Sequence, residues 1–417
     1  MKAVILNTDS ILNPGDAGIV LAQIRLLRKI FPGLILSLTS RTPDLDRRHY
    51  ASLGVSCLSP LIPAPSLWRG AGRKIVRSLI GLFDVPSQAR LLNELRTSDF
   101  VLSTGGGPFY SNRLTAPGPT FYQNVLHVRL AQALGKPVFF LPQSFGPFGS
   151  SAARRSVLRL LDSPRTAAIF VREVESRDVF DSRVPKRVRD KLVLCPDMAL
   201  WLEPEQPGKE DPALAAVPRP RLVLTVRDWD FPEAGSRAER EALKIRYLLA
   251  VRDAAFRFIG RKGGTAVVVP HTRGPGDFED DRLLSGRLWA LLKAGLPEKR
   301  RLYLEPPADA PPARFLDLYA SADVVLATRT HSAVFALLSG TAVVSIDYQP
   351  KGRGIMGMLG LGDWSFPIDR LETEPLAEAV EAVFDRRFET RLRLAARLAS
   401  LRKEIEAKIR AALKDFT

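Results

Sequence analysis

Cysteine is scarce: the 417 residues hold two, Cys57 and Cys195. That excludes a disulfide-stapled scaffold and any zinc site built on paired cysteines. Histidine numbers four, at 49, 127, 271 and 331, too few and too scattered for a histidine-rich metal centre. No metal and no organic cofactor is expected. Long apolar runs are also missing: no uncharged stretch reads as a membrane span, and Pro137–Ala153 is broken by proline and glycine. The opening Lys2–Asn7 reads as a strand followed by Asp9 and Asp16, not as a secretory leader. No Walker A loop and no nucleophile elbow occurs. A reduced, cytoplasmic setting is expected.

What the sequence has in excess is positive charge, a formal +16. Such a balance asks for an anionic partner. No nucleic-acid-binding motif is present and the basic residues are scattered, so no nucleic acid is expected. A phosphorylated small substrate, a lipid diphosphate or a membrane surface fits the charge equally well. Leu67–Phe83 interleaves Arg69, Arg73, Lys74 and Arg77 with large apolar residues. It reads as an ordinary helix with a solvated basic face, or as a segment lying on an anionic bilayer. Peripheral membrane association and the oligomeric state therefore stay open.

Strand-like and helix-like segments alternate along the chain, the rhythm of parallel α/β sheets. The fold class expected is α/β, two doubly wound Rossmann-like domains facing a cleft. The expected boundaries are an N-terminal domain over residues 1–202, a proline-rich linker over 203–220, a C-terminal domain over 221–370 and a helical tail over 371–417. Ligands of such sheets bind beyond the carboxyl ends of the strands. The conspicuous polar residues gather there: Asp16, Gly105, Gly106, Gly107, Gln143, Arg172, Asp197, Arg227, His271, Arg329 and His331.

The stretch Ala320–Tyr348 reads as strand, turn, helix, glycine stop and second strand. Arg329 and His331 open its helix. A helix N-terminus favours an anion, and a guanidinium adds a planar donor fork suited to phosphate or carboxylate. The turn thus offers an anion clamp and a candidate proton donor. The plainer alternative is that Arg329 pairs with a local acid and His331 caps the helix. Arg172 with Glu173 reads as a clamp or as a satisfied ion pair; Asp16 and Asp197 read as general bases or as caps; His271 reads as a second acid/base group or a substrate contact. His49 and His127 read as structural or surface residues. Gly352–Gly357 formally matches a dinucleotide fingerprint but does not directly follow the first strand of its unit, so a nicotinamide site is not expected.

Taken in order, several blocks resemble the polysaccharide pyruvyl transferase family. They are Asn13-x-Gly15-Asp16, Gly105-Gly106-Gly107, Gln143-Ser144-x-Gly146-Pro147, Arg172-Glu173-x-x-Ser176, Pro196-Asp197-x-Ala199, Val226-Arg227-x-Trp229 and Arg329-x-His331. The last continues through Gly340 to Tyr348-x-x-Lys351-x-x-Gly354 and Leu359-Gly360-Leu361. The resemblance implies a glycosyltransferase-B-like fold. It implies transfer of a pyruvyl group from phosphoenolpyruvate to a sugar of a cell-surface polysaccharide or its lipid-linked precursor, forming a ketal. It also implies that Arg329 and His331 engage phosphoenolpyruvate. On this reading His331 is the acid, and Asp16, Asp197 or His271 is the base. Arg329, Arg227 and Arg172 hold anionic groups, with Lys351, Gln143 and the glycine run as further substrate contacts. Two other readings fit the same residues: a nucleotide-sugar-dependent glycosyltransferase, and a non-catalytic anion-binding protein of the envelope pathway. Leu58–Gln88 and the C-terminal tail match nothing in the family pattern.

Overall fold

The structure, a computed structural model, describes residues 1–62, 85–111, 117–174, 176, 180, 184–204 and 210–416. The basic segment Leu67–Phe83 lies outside them. The chain divides into two compact units, one of residues 1–11, 16–201 and 402–417, the other of residues 12–15 and 202–401.

The first unit carries strands β1 (Lys2–Thr8), β2 (Ile35–Ser40), β3 (Val55–Leu58), β4 (Phe100–Ser103), β5 (Gly106–Phe109), β6 (Val138–Phe145), β7 (Thr166–Val171) and β8 (Leu192–Leu194). Their order is β3-β2-β1-β4-β6-β7-β8, with β5 paired to β6, and every pairing is parallel. The central strands β1, β4, β6 and β7 are largely apolar runs buried on both faces, as parallel sheets between helices require. The second unit holds β9 (Arg221–Thr225), β10 (Thr265–Val268), β11 (Arg301–Tyr303), β12 (Val324–Ala327), β13 (Ala342–Asp347) and β14 (Ser365–Pro367). Their order is β11-β10-β9-β12-β13-β14, again all parallel. In both sheets the order reverses beside the first strand, which opens a crevice at the carboxyl ends.

Several expectations change. Gly106 and Gly107 lie in β5 rather than in an open turn. Of the proline-rich stretch 203–220, residues 210 onward are packed: Asp211 caps the helix Pro212–Ala215, and Arg221 pairs with Glu210. The helical tail is no separate body. Its helix Thr373–Asp385 packs in the core of the second unit, and residues 402–417 group with the first. There Phe416 stacks among Phe100 and Phe139. Gly352, the start of the fingerprint-like run, sits inside the helix Pro350–Met358, where a Cβ would lie 2.3 Å from Asp347. No phosphate-cradling loop is formed there.

Two buried polar groups fix the first sheet's edge. His127, fully buried, bonds Asn7 through Nδ1 and accepts the Leu61 N–H at Nε2, and burial pushes its pKa down to about 3. It is structural. Asp46 accepts hydrogen bonds from Ser40 and Thr42 and from the Ile11 N–H, yet burial raises its pKa to about 6. The ordinary carboxyl value is lower, so ionising Asp46 costs the native state. The stabilisation is therefore full below the unfolded-state value and is lost as pH rises toward 6. The shift corresponds to about 3 kcal/mol. Urea denaturation of wild type and Asp46→Asn between pH 4 and 8 should show the difference. Wild type should lose up to about that much stability on alkalinisation relative to the variant, whose profile should lack this component.

Candidate active site

The second sheet's switch point lies between β9 and β12. Chain leaves β9 through Val226 into Arg227, and leaves β12 through Thr328 into Arg329. Tyr247, on the helix Arg237–Lys262, spans the two exits: its hydroxyl accepts the Arg227 N–H at 3.3 Å and bonds the Thr328 hydroxyl at 2.7 Å. The Thr225 and Ser332 hydroxyls meet at 2.8 Å, and Ser332 Oγ donates to the Arg329 carbonyl. Two arginines and the start of the helix Thr330–Leu338 are thereby held in fixed register.

The two arginines differ. Arg329 is 7 % exposed, and its Nε and Nη2 bond both oxygens of Asp281 at 2.6–3.0 Å, with Nη2 also on the Glu279 carbonyl at 2.7 Å. Burial works against its charge, but Asp281 more than offsets this and holds it ionised. The plainer expectation for Arg329, pairing with a local acid, is thus what the structure contains. Asp281 precedes the helix Arg282–Gly295 without capping it; its carboxylate turns to Arg329 and to the Thr272 N–H instead. Arg227 has no carboxylate partner among the described residues. Its guanidinium lies over the Tyr348 ring at 4.2 Å and the Trp229 ring at 5.5 Å, and its buried Nε makes no hydrogen bond. Burial lowers its pKa from the ordinary value, and the nearby Arg329 charge adds to that. The Tyr348 side chain also hydrogen-bonds the guanidinium, so an anion placed here would meet no competing acid among the described residues and one unbonded donor, Nε.

His331 opens the helix, half-buried, and the chain passes it closely. A Cβ on Gly15 would come within 2.4 Å of its ring. Glycine is required because backbone, not side chain, lies against the imidazole. The neighbouring Leu12 carbonyl accepts the Arg273 N–H at 2.8 Å. His271 is 1 % exposed, bonds Tyr319 Oη through Nδ1 at 2.8 Å and packs on Phe315 and Phe335. Burial, then Arg329 and His331, drive its pKa well below the ordinary imidazole value. The imidazole is therefore held neutral and is only weakly basic. Its Nε2 has no partner. Lys351 begins the helix Pro350–Met358, and its side chain lies outside the described residues.

In the first unit, Arg172 and Asp197 are bound to each other at 2.6 Å, both buried. Arg172 Nε also reaches Ser144 and Glu173, and Asp197 accepts the Ala199 N–H. Burial opposes the Arg172 charge, but Asp197 and Glu173 outweigh it. With its carboxylate committed in this way, Asp197 is placed to hold Arg172, not to take a proton. Asp16 lies against Gly106, where a Cβ would sit 3.1 Å from its carboxylate; Gly106 has φ +92°. Gly105 approaches the Pro142 carbonyl so closely that a Cβ would be 2.7 Å away, whereas Gly107 faces open space. Gln143 is fully buried with neither amide atom bonded. Sequence reasoning missed Asp281, Tyr247 and Tyr319. Only Asp281 left a trace, as an acid just before a helical apolar run.

The second sheet's switch point thus holds a cationic pair and, two residues beyond Arg329, an imidazole. A model of the polysaccharide pyruvyl transferase family matches residues 13–350, and the chain belongs to it. Its relatives include the amylovoran biosynthesis protein AmsJ of Erwinia amylovora, 22 % identical over 303 residues, 70 % of this chain and 67 % of that protein. Among solved structures, a putative UDP-N-acetylglucosamine 2-epimerase from Listeria monocytogenes superimposes with a TM-score of 0.61 at 11 % identity, covering 99 % of this chain and 97 % of that one. The α,α-trehalose 6-phosphate synthase of Burkholderia multivorans gives 0.54 at 14 % identity, covering 100 % and 96 %. These likenesses establish the glycosyltransferase-B-like fold alone.

Two outcomes check the site. Asp281→Ala strands a buried guanidinium and should cost about 3–5 kcal/mol, read as a lowered urea midpoint. Gly15→Ala should leave the melting midpoint within a few degrees yet displace His331, seen as a shifted imidazole NMR resonance.

Proposed function

We propose that this protein transfers the pyruvyl group of phosphoenolpyruvate to two hydroxyls of one saccharide residue, forming a cyclic ketal and releasing phosphate. What supports the reading is Arg227, a half-buried side chain with no carboxylate partner among the described residues and a buried, unbonded Nε, near Arg329 in a chain of this family. Arg227 binds the phosphate or carboxylate of the donor directly. Arg329, fixed by Asp281, adds its field and the one nitrogen, Nη1, not engaged by Asp281 or Glu279. His331 donates a proton to the methylene carbon, which becomes the methyl group. The cationic C2 takes one sugar oxygen, whose proton passes to the His331 imidazole, left basic by the first transfer. Phosphate then departs with the C2–O bond electrons, the second sugar oxygen closes the ketal, and that hydroxyl's proton leaves on the phosphate. The acceptor is a cell-surface polysaccharide or its lipid-linked precursor. Its residues are assigned to the first unit, where the unbonded Gln143 amide matches a donor–acceptor pair of sugar hydroxyls and Asp16 supplies a carboxylate. His271 and the Arg172–Asp197 pair are positioning groups.

Phosphoenolpyruvate should raise the melting midpoint of the protein, and UDP-N-acetylglucosamine should not. Arg227→Ala should raise the phosphoenolpyruvate concentration needed for that shift roughly 10- to 100-fold. His331→Ala should keep the shift while phosphate release falls about 10²- to 10⁴-fold. Stabilisation by the nucleotide sugar alone would overturn the reading.

A further inference from the structure

The helix Arg387–Ala412 has two apolar faces, and only one is covered. Leu394, Leu398 and Leu401 are buried at helical spacing, 4 % exposed or less. On the opposite side Phe388 is 67 % exposed and Leu392 77 % exposed. Ala396 and Ala399 continue that stripe and are exposed as well. Positions 388, 392, 396 and 399 fall on one side of a helix of 3.6 residues per turn, so the exposed residues form a line and not a scatter. Single exposed apolar residues are ordinary on a protein surface; a row of them opposite an already buried face is not.

The charge around the row is mostly positive, although Glu389 stands 4.0 Å from Arg393. Between residues 386 and 399 there are five arginines, at 386, 387, 391, 393 and 397, against one acid, Glu389. Arg391 and Arg393 flank the stripe and are exposed. Arg387 lies over the Phe384 and Phe388 rings at 4.0 and 4.3 Å, which orders the start of the stripe. Arg397 Nε donates to the Met358 carbonyl, anchoring the helix on its inner side. The whole chain carries a formal charge of +16. An apolar row rimmed by arginine on a positively charged protein matches a surface with acyl chains below and anionic groups above.

We propose that the outer face of this helix docks on an anionic lipid bilayer, Phe388 and Leu392 entering the interface while Arg391 and Arg393 meet phosphate headgroups. No helix among the described residues is long and apolar enough to cross a membrane, so the contact is a peripheral one. The proposal is independent of the pyruvyl reading: it concerns where the protein works, not what it does.

The test is sedimentation of the full-length protein with vesicles of phosphatidylcholine, alone or mixed with phosphatidylglycerol. The protein should pellet with the mixed vesicles, not with phosphatidylcholine alone, and high salt should release it. The double variant Phe388→Ser/Leu392→Ser should bind the mixed vesicles at least about tenfold more weakly. Its melting midpoint should match wild type, because both side chains stand in solvent. Arg393→Glu should also weaken binding, and it carries the test if the double variant fails to fold. Ile245→Ser, exposed on the helix Arg237–Lys262, should change nothing. Equal pelleting by both vesicle types, or undiminished pelleting of the double variant, overturns the proposal. So does a wild-type dimer that the double variant turns into a monomer, which would make the stripe a subunit contact.

Discussion

Two guanidinium groups stand at the crossover of the second sheet, and a single buried carboxylate, Asp281, answers them. That imbalance is the constraint on which the site depends. Two buried like charges repel, and burial alone would favour losing one of them. Asp281 neutralises Arg329 and leaves Arg227 as the net charge, with a bonding position unused. The rings of Trp229 and Tyr348 and the Tyr348 hydrogen bond keep the guanidinium in place while leaving Nε unbonded. Tyr247, bonded to both strand exits, prevents the pair from spreading apart.

The architecture was legible because parallel strands write themselves as short apolar runs followed by polar turns. Val324–Ala327 and Ala342–Asp347 are read directly as two strands around a helix, and the sheet places them side by side. The alternation says nothing about strands with little apolar character. Gly106–Phe109 looks like a turn, and becomes a strand only because β6 offers its edge. Helix Pro350–Met358 holds three glycines and a proline, and forms by packing against β13 and β14, not by propensity.

The site was legible to a lesser degree, and for a physical reason. Residue type shows which groups can carry charge, but pairing is decided by tertiary geometry. Arg329 and Arg227 look alike in the sequence, and only the position of Asp281, 48 residues before Arg329, separates them. Arg172 and Asp197, each a candidate for chemistry by type, meet across 25 residues and neutralise each other. His271 reads as a candidate acid or base until its enclosure by Phe315, Phe335 and Tyr319 is seen. Gly15 is the converse case. In the sequence it is one residue of the Asn13-x-Gly15-Asp16 block, while in the structure it makes room for a ring more than three hundred positions later.

The unclaimed nitrogen of Arg227 has a kinetic consequence. Where a binding guanidinium is already bridged to an acid, an incoming anion must first compete for it, and that exchange adds a barrier to association and a competitor to dissociation. Arg227 has no such rival. On the proposed reading, an arriving anion would contend with the Tyr348 hydroxyl and two aromatic rings rather than with an acid, and its residence time would rest on its own contacts and not on the return of a displaced carboxylate.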